Sequence, residues 1–204
     1  MKKAILVALA SAATLGVQAQ KGTTYAPNIV RIYPISAFVY GGVGAGLSYE
    51  RIVTTDGKVG VNIPVFLGLN SNNQSYNSST GISTSMTNFS VLVSSGVKFY
   101  PGGQRKVTYA IGASVFGAFG NSDYYGYLNN GTGTSVSKMI DASYVRAGIK
   151  IDNYLQFNIT PKFNFGLEVG LGPTYVNHFR EEKETRNEGI NALANFGFHL
   201  GFRF

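Results

Sequence analysis

The chain of 204 residues contains no cysteine. That excludes disulfides, thiol catalysis, cysteine-bound metal and the lipid-anchored lipoprotein route. Only two histidines are present, too few and too far apart to suggest a metal site, so no metal and no cofactor is expected. Charged residues are scarce at 13%. No apolar run reaches the roughly 20 residues that a spanning helix needs, and beyond the first 20 residues no segment holds a helical period for more than a turn or two. A bundle of membrane helices and a helical soluble domain are not expected; a single N-terminal anchor helix is the alternative to a cleaved leader at the start of the chain.

Glycine and aromatics are plentiful by contrast: 26 Gly, 14 Phe and 13 Tyr. Such a composition suits β-structure with closely packed faces. The net charge is +7, falling to +5 if Lys2 and Lys3 leave with a leader. The basic residues are spread along the chain, and an exported protein has little use for nucleic acid, so none is expected as a partner.

The start of the chain reads as an export address. Lys2 and Lys3 precede an apolar stretch from Ala4 to about Val17, and Val17-Gln18-Ala19 offers small residues for cleavage before Gln20. This order marks a signal peptide over 1–19. A short segment, 20–27, is expected to lead into a single domain over 28–204.

That domain repeats a period of two. In the last segment Ile190, Ala192, Ala194, Phe196, Phe198, Leu200, Phe202 and Phe204 alternate with small or polar residues, Leu193 being the exception. Successive strand side chains point to opposite faces, so one face is continuous hydrocarbon. Segments near 163–175, 145–157, 88–99, 59–69, 106–119, 43–53 and 28–39 behave alike, giving about eight strands. The polar set is mostly Gly, Ser, Asn and Thr rather than long charged side chains. Small polar residues suit a narrow lumen, and Phe, Val, Leu and Ile suit lipid. The expected fold is therefore all-β: a closed antiparallel transmembrane β-barrel with its greasy side outward, a soluble lipid-binding barrel being the alternative that composition leaves open.

The connections agree. Tight turns are expected at Thr54-Thr55-Asp56-Gly57, Pro101-Gly102-Gly103-Gln104-Arg105 and Asn158-Ile159-Thr160-Pro161, from residues that supply turn backbone angles. Long polar loops are expected at 70–87, 121–142 and 180–188. From the second strand onward short and long connections alternate, as periplasmic turns and surface loops do in outer-membrane barrels; Tyr40-Gly41-Gly42, a short surface turn in the first hairpin, is the exception.

Val30-Arg31-Ile32-Tyr33-Pro34-Ile35-Ser36, with Leu47-Ser48-Tyr49-Glu50-Arg51, resembles the first hairpin of small single-domain outer-membrane β-barrels of Gram-negative bacteria, in the broad style of the OmpA transmembrane domain, OmpX and OmpW. Phe202 and Phe204 resemble the aromatic end that the barrel-assembly machinery recognises in that class; His199 departs from it, standing where glycine is usual. The resemblance implies an outer-membrane location and contact with outer-membrane lipid and lipopolysaccharide. A monomer is the expected state.

Arg31, Glu50, Lys98, Arg146, Lys150, Asp152, Glu168, His199 and Arg203 are expected inside. Asp152 should lie opposite Glu168, with Lys150 diagonal to it and Glu168 close to His199. The phase of the first strand stays open, because Arg31 and Tyr33 compete with Val30 and Ile32 for the interior. Opposite charges in a narrow, low-dielectric lumen must pair or bear a large desolvation cost, so a structural ion-pair plug is expected. His178 near the rim, with Glu181, Glu182 and Glu184 beyond, is too ordinary a set for a triad. Gly42-Val43-Gly44-Ala45-Gly46 lacks the third glycine of a dinucleotide loop, since Leu47 stands there. No catalytic, cofactor or metal residue is assigned. The expected role is non-enzymatic, structural or surface-interacting through the three long loops. A lipid acyl hydrolase or acyltransferase, and a narrow pore for small solutes, are the alternatives.

Overall fold

A computed structural model describes residues 25–77, 82–129, 135–181 and 184–204; the leader expected over 1–19 lies outside them. Eleven strands occur among the described residues: β1 Asn28–Phe38, β2 Gly42–Ile52, β3 Val59–Asn77, β4 Ile82–Phe99, β5 Val107–Asn121, β6 Tyr124–Asn129, β7 Ser135–Ile140, β8 Ala142–Asn158, β9 Phe163–Glu181, β10 Glu184–Asn187 and β11 Asn191–Arg203. Eight of them close a barrel in the order β11-β1-β2-β3-β4-β5-β8-β9, with β9 pairing back to β11. Every pairing in that wall is antiparallel. Closure leaves no edge along the wall, which an apolar surround requires.

The outward face carries the apolar set. Val30, Leu47, Ile63, Val97, Val115, Ile151, Leu171 and Phe196 are exposed, while Glu50, Asn62, Ser94, Asp152, Glu168 and His199 point inward and are buried. Tyr49, Phe99, Tyr109, Phe163 and Phe202 face outward near the tight turns, and Phe89, Phe119 and Tyr175 face outward near the opposite end. Each strand thus presents about ten residues between two aromatic girdles, which at the usual tilt gives an apolar band about 25 Å tall.

The tight turns form where expected. Gly57 (φ 69°) and Gly103 (φ 65°) occupy left-handed backbone that other residues resist. Beyond the band, three expected loops hold paired strand among their described residues; 78–81, 130–134 and 182–183, Glu182 included, lie outside those. β3 and β4 continue past the end of β2 and pair from Asn70↔Asn88 to Asn77↔Ile82, so most of 70–87 is a two-stranded ribbon. Within 121–142, β6 and β7 form a hairpin. Within 180–188, β10 folds back on β9, with Glu184 opposite Glu181 and Asn187 opposite His178. A ribbon beyond the apolar band needs no apolar stripe, so its sequence lacks alternation; the paired strands below template it.

The first strand changes phase midway. Arg31 and Tyr33 face inward, and so do Ser36 and Phe38. The register slips between Ile32 and Ile35 around Pro34, which has no N–H to give the ladder.

Candidate functional site: the charged lumen

The half of the lumen nearest the tight turns is organised around Glu50 on β2. Its carboxylate accepts from Arg31 Nη1 on β1 at 2.7 Å, from Lys98 Nζ on β4 at 2.9 Å, and from the Tyr100 hydroxyl. All of Arg31, Glu50 and Lys98 are at most 2% exposed. β3 separates Glu50 from Lys98, and it carries Gly60 between them. A Cβ there would come within 2.8 Å of Glu50 Oε1, so glycine is what lets the carboxylate reach across a strand. Arg31 also spans the lumen, donating through Nη2 to Gln156 Oε1 on β8 at 2.8 Å. The Lys98 ammonium sits 3.6 Å from the centre of the Tyr154 ring, a favourable cation–π contact in a desolvated site.

A second group lies on the other wall. Lys150 pairs closely with Asp152, and its ammonium is 3.8 Å from Glu168 Oε1. Ser114 donates to Asp152 Oδ2 at 2.7 Å, and Asn195 donates to Glu168 Oε1 at 3.4 Å. Tyr33 donates to Glu168 Oε2 at 2.7 Å. The His199 ring is buried 5.4 Å from Tyr33, and neither of its nitrogens has a hydrogen-bond partner among the described residues.

The remaining two expected charges stand apart at the ends. Arg203 donates to Gln104 Oε1 at 2.6 Å, to Asn158 Oδ1 at 3.3 Å and to the Ala26 carbonyl at 3.4 Å, closing the turn end. Arg146, near the other mouth, lies between two rings, 3.9 Å from Tyr40 and 4.3 Å from Tyr144. It donates to Asn177 Oδ1 at 2.8 Å and pairs with Glu188 at 3.4 Å. All nine expected side chains point inward, but they form separate clusters at different depths.

The expected register is two residues out. Asp152 lies opposite Gly170 and Tyr154 opposite Glu168. His199 lies opposite Gly166, and Gly197 opposite Glu168. Between β8 and β9 the cause is the turn, where Asn158 pairs with Asn164, leaving a five-residue connection in which the Ile159 and Thr160 amides both donate to the Phe163 carbonyl. Lys150 therefore reaches Glu168 diagonally, and among the described residues Asp152 is linked to Glu168 only through it.

Pattern reading missed the interior aromatics. Between the charged clusters and the far mouth, Phe38, Phe66, Leu92, Phe116, Phe179 and Leu193 pack together inside, so the lumen is not uniformly small and polar. Glycines on adjacent strands make the room: a Cβ at Gly46 would come 2.5 Å from the Phe66 ring. The available signal was the unbroken apolar run in mid-strand, Val65-Phe66-Leu67 and Val91-Leu92-Val93, facing glycine or alanine across the ladder at Gly46 and Ala118. His178 is exposed and turned away from the lumen. Phe202 and Phe204 are exposed on the outer face. Among the described residues no group of three or more His, Asp or Glu side chains has metal-site geometry.

No family model and no curated protein matches the sequence. Solved structures do match the fold. A major outer membrane protein from Thermus thermophilus superposes with a TM-score of 0.61 at 15% identity, over 88% of this chain and 100% of that one. Ail, the attachment invasion locus protein of Yersinia pestis, solved with the heparin analogue sucrose octasulfate, gives a TM-score of 0.50 at 13% identity, over 89% of this chain and 100% of that one. The architecture is that of the small bacterial outer-membrane β-barrels.

Proposed function

We propose that the chain is an outer-membrane β-barrel with a non-enzymatic, structural or surface-interacting role, its lumen closed by paired charges. The observation that carries this reading is the Arg31–Glu50–Lys98 cluster, which lies wholly buried inside the barrel, with the aromatic cluster of Phe66 and Phe116 further along the same lumen. An eight-stranded barrel has an interior just wide enough for side chains to fill. Partners on this reading are outer-membrane lipid and lipopolysaccharide around the band, and the barrel-assembly machinery at Phe202 and Phe204. The working surface is the loops over 70–87, 121–142 and 180–188, and the protein acts as a monomer.

Two measurements test it. Cell fractionation with heat-modifiable gel mobility is expected to find a detergent-stable barrel in the outer membrane; recovery in the soluble periplasmic fraction refutes the membrane reading. Folded protein in planar bilayers is expected to show no stepwise conductance. Reproducible unitary steps refute the plug and favour a pore.

A further inference from the structure

Among the described residues the two ends of the barrel differ in exposed charge. At the tight-turn end the exposed ionic side chains are Arg51 on β2, Lys58 in the β2–β3 turn, Lys106 after the β4–β5 turn and Lys162 in the β8–β9 turn, with Asp56 the acidic one among them. These cations come from every tight turn and from the end of β2, so they ring the barrel instead of forming one patch. At the other end the exposed acids Asp141, Glu184 and Glu188 stand against Arg180 and Arg186, and Glu188 pairs with both Arg146 and Arg186. The apolar band separates the two ends.

The depth of the cationic ring matters as much as its sign. Arg51 follows Tyr49 on the outward face of β2, one step beyond the aromatic girdle. Lys106 precedes outward Val107, and Lys162 precedes outward Phe163. Long basic side chains at that level lay their methylenes along the band and place their charge at the headgroup layer. Lys58 keeps its ammonium 3.3 Å from Asp56 with both about half exposed, so it stays within reach of a second anion.

Resting on the membrane reading above, we propose that the turn-end ring of Arg51, Lys58, Lys106 and Lys162 binds the phosphate headgroups of anionic phospholipids in the leaflet that surrounds it. One basic side chain near an anionic membrane surface strengthens attraction roughly fivefold, and salt weakens it.

The test uses the full chain folded into phosphatidylcholine vesicles, with spin-labelled phosphatidylglycerol or spin-labelled phosphatidylcholine as probe. The motionally restricted lipid around the barrel is expected to favour phosphatidylglycerol by roughly fivefold or more at low salt, with the preference fading at high salt. The variant R51Q/K58Q/K106Q/K162Q is expected to insert with unchanged heat-modifiable mobility and to bind the two lipids alike. D56N, which removes the acid from the ring, is expected to raise the preference, and it serves if the fourfold variant does not fold. Inorganic phosphate at constant ionic strength is expected to leave the preference in place. A wild-type barrel that inserts without preference, or a preference that survives the fourfold substitution or vanishes with inorganic phosphate, overturns the ring alone. A chain that inserts in no vesicle overturns the membrane reading together with the ring.

Discussion

Tyr33 on β1 reaches past β11 to donate a 2.7 Å hydrogen bond to Glu168 on β9. Both side chains are fully buried, so this bond ties together strands that share no ladder. A hydrogen bond to a buried charge contributes more than a neutral one, about 1.5–3 kcal/mol. Tyr33→Phe keeps the ring against Phe66 and His199 and removes only the donor. It is expected to lower stability by about 2 kcal/mol, read from the urea midpoint of folding into detergent or lipid. An unchanged midpoint would mean that Glu168 is satisfied without the phenol.

The Glu50 cluster predicts a contrast between single and multiple substitution. Glu50→Gln leaves Arg31 and Lys98 side by side in a dry interior, where they now repel. Breaking a buried ion pair by neutralising one partner costs about 3–5 kcal/mol, whereas replacing all members by packed apolar residues is often neutral or favourable. Glu50→Gln is therefore expected to fold with a much lower urea midpoint, and R31M/E50L/K98M to recover most of the loss. Recovery identifies the charges as lumen filling. If the triple variant folds well yet the barrel loses a cellular function, the charges serve something besides closure.

Much of this architecture was legible in the sequence because a lipid-facing wall leaves a strict two-residue signature. In β11, Phe196 to Phe204 alternate with Gly197, His199, Gly201 and Arg203, and the structure keeps that phase throughout. The first strand was ambiguous for a local reason: the bulge at Pro34 shifts the inward set from Arg31 and Tyr33 to Ser36 and Phe38. The pairing of Asp152 with Glu168 was misplaced because composition marks a turn without fixing its length, and two residues move every cross-strand partner. Phe66, Leu92 and Phe116 were hidden because outward and inward positions are both apolar there, which erases alternation. The ribbon above Leu69 was hidden for the opposite reason, both of its faces being polar.

Asp56 gives a pH prediction at the β2–β3 turn. Its carboxyl is held below the ordinary carboxylate value, first by a hydrogen bond from the Thr54 side chain and then by the Lys58 amide; the amide bond measures 3.1 Å. A carboxylate with a lowered pKa stabilises the fold above its unfolded pKa, near 4, and that contribution is lost as pH falls through the lower folded value. Amide exchange at Lys58 and Val59 is expected to stay slow at neutral pH and to rise, beyond its intrinsic pH dependence, only below about pH 4. In Asp56→Asn the extra acid-dependent rise is expected to disappear. A rise of the same size in the variant would assign it to another group.

The β6–β7 hairpin sits on the mouth without belonging to the wall. Its base is fastened by Asp123, whose amide donates to Asn88 Oδ1 at 3.0 Å and whose carboxylate accepts from the Ala142 amide at 2.9 Å. Tyr124 packs against the inner aromatic cluster and donates to Glu181. Below it the β5–β8 ladder is complete up to Asn121↔Ser143, so the wall closes without the hairpin. Replacing 125–139 by a short Gly-Ser linker, with Tyr124 retained, is expected to leave heat-modifiable mobility intact and to shift the urea midpoint little. Conductance is expected to stay absent as well, because Arg146 between Tyr40 and Tyr144, the aromatic cluster and the Glu50 cluster all remain beneath. Ion flow in this variant alone would make the hairpin, and not the buried charges, the element that closes the barrel.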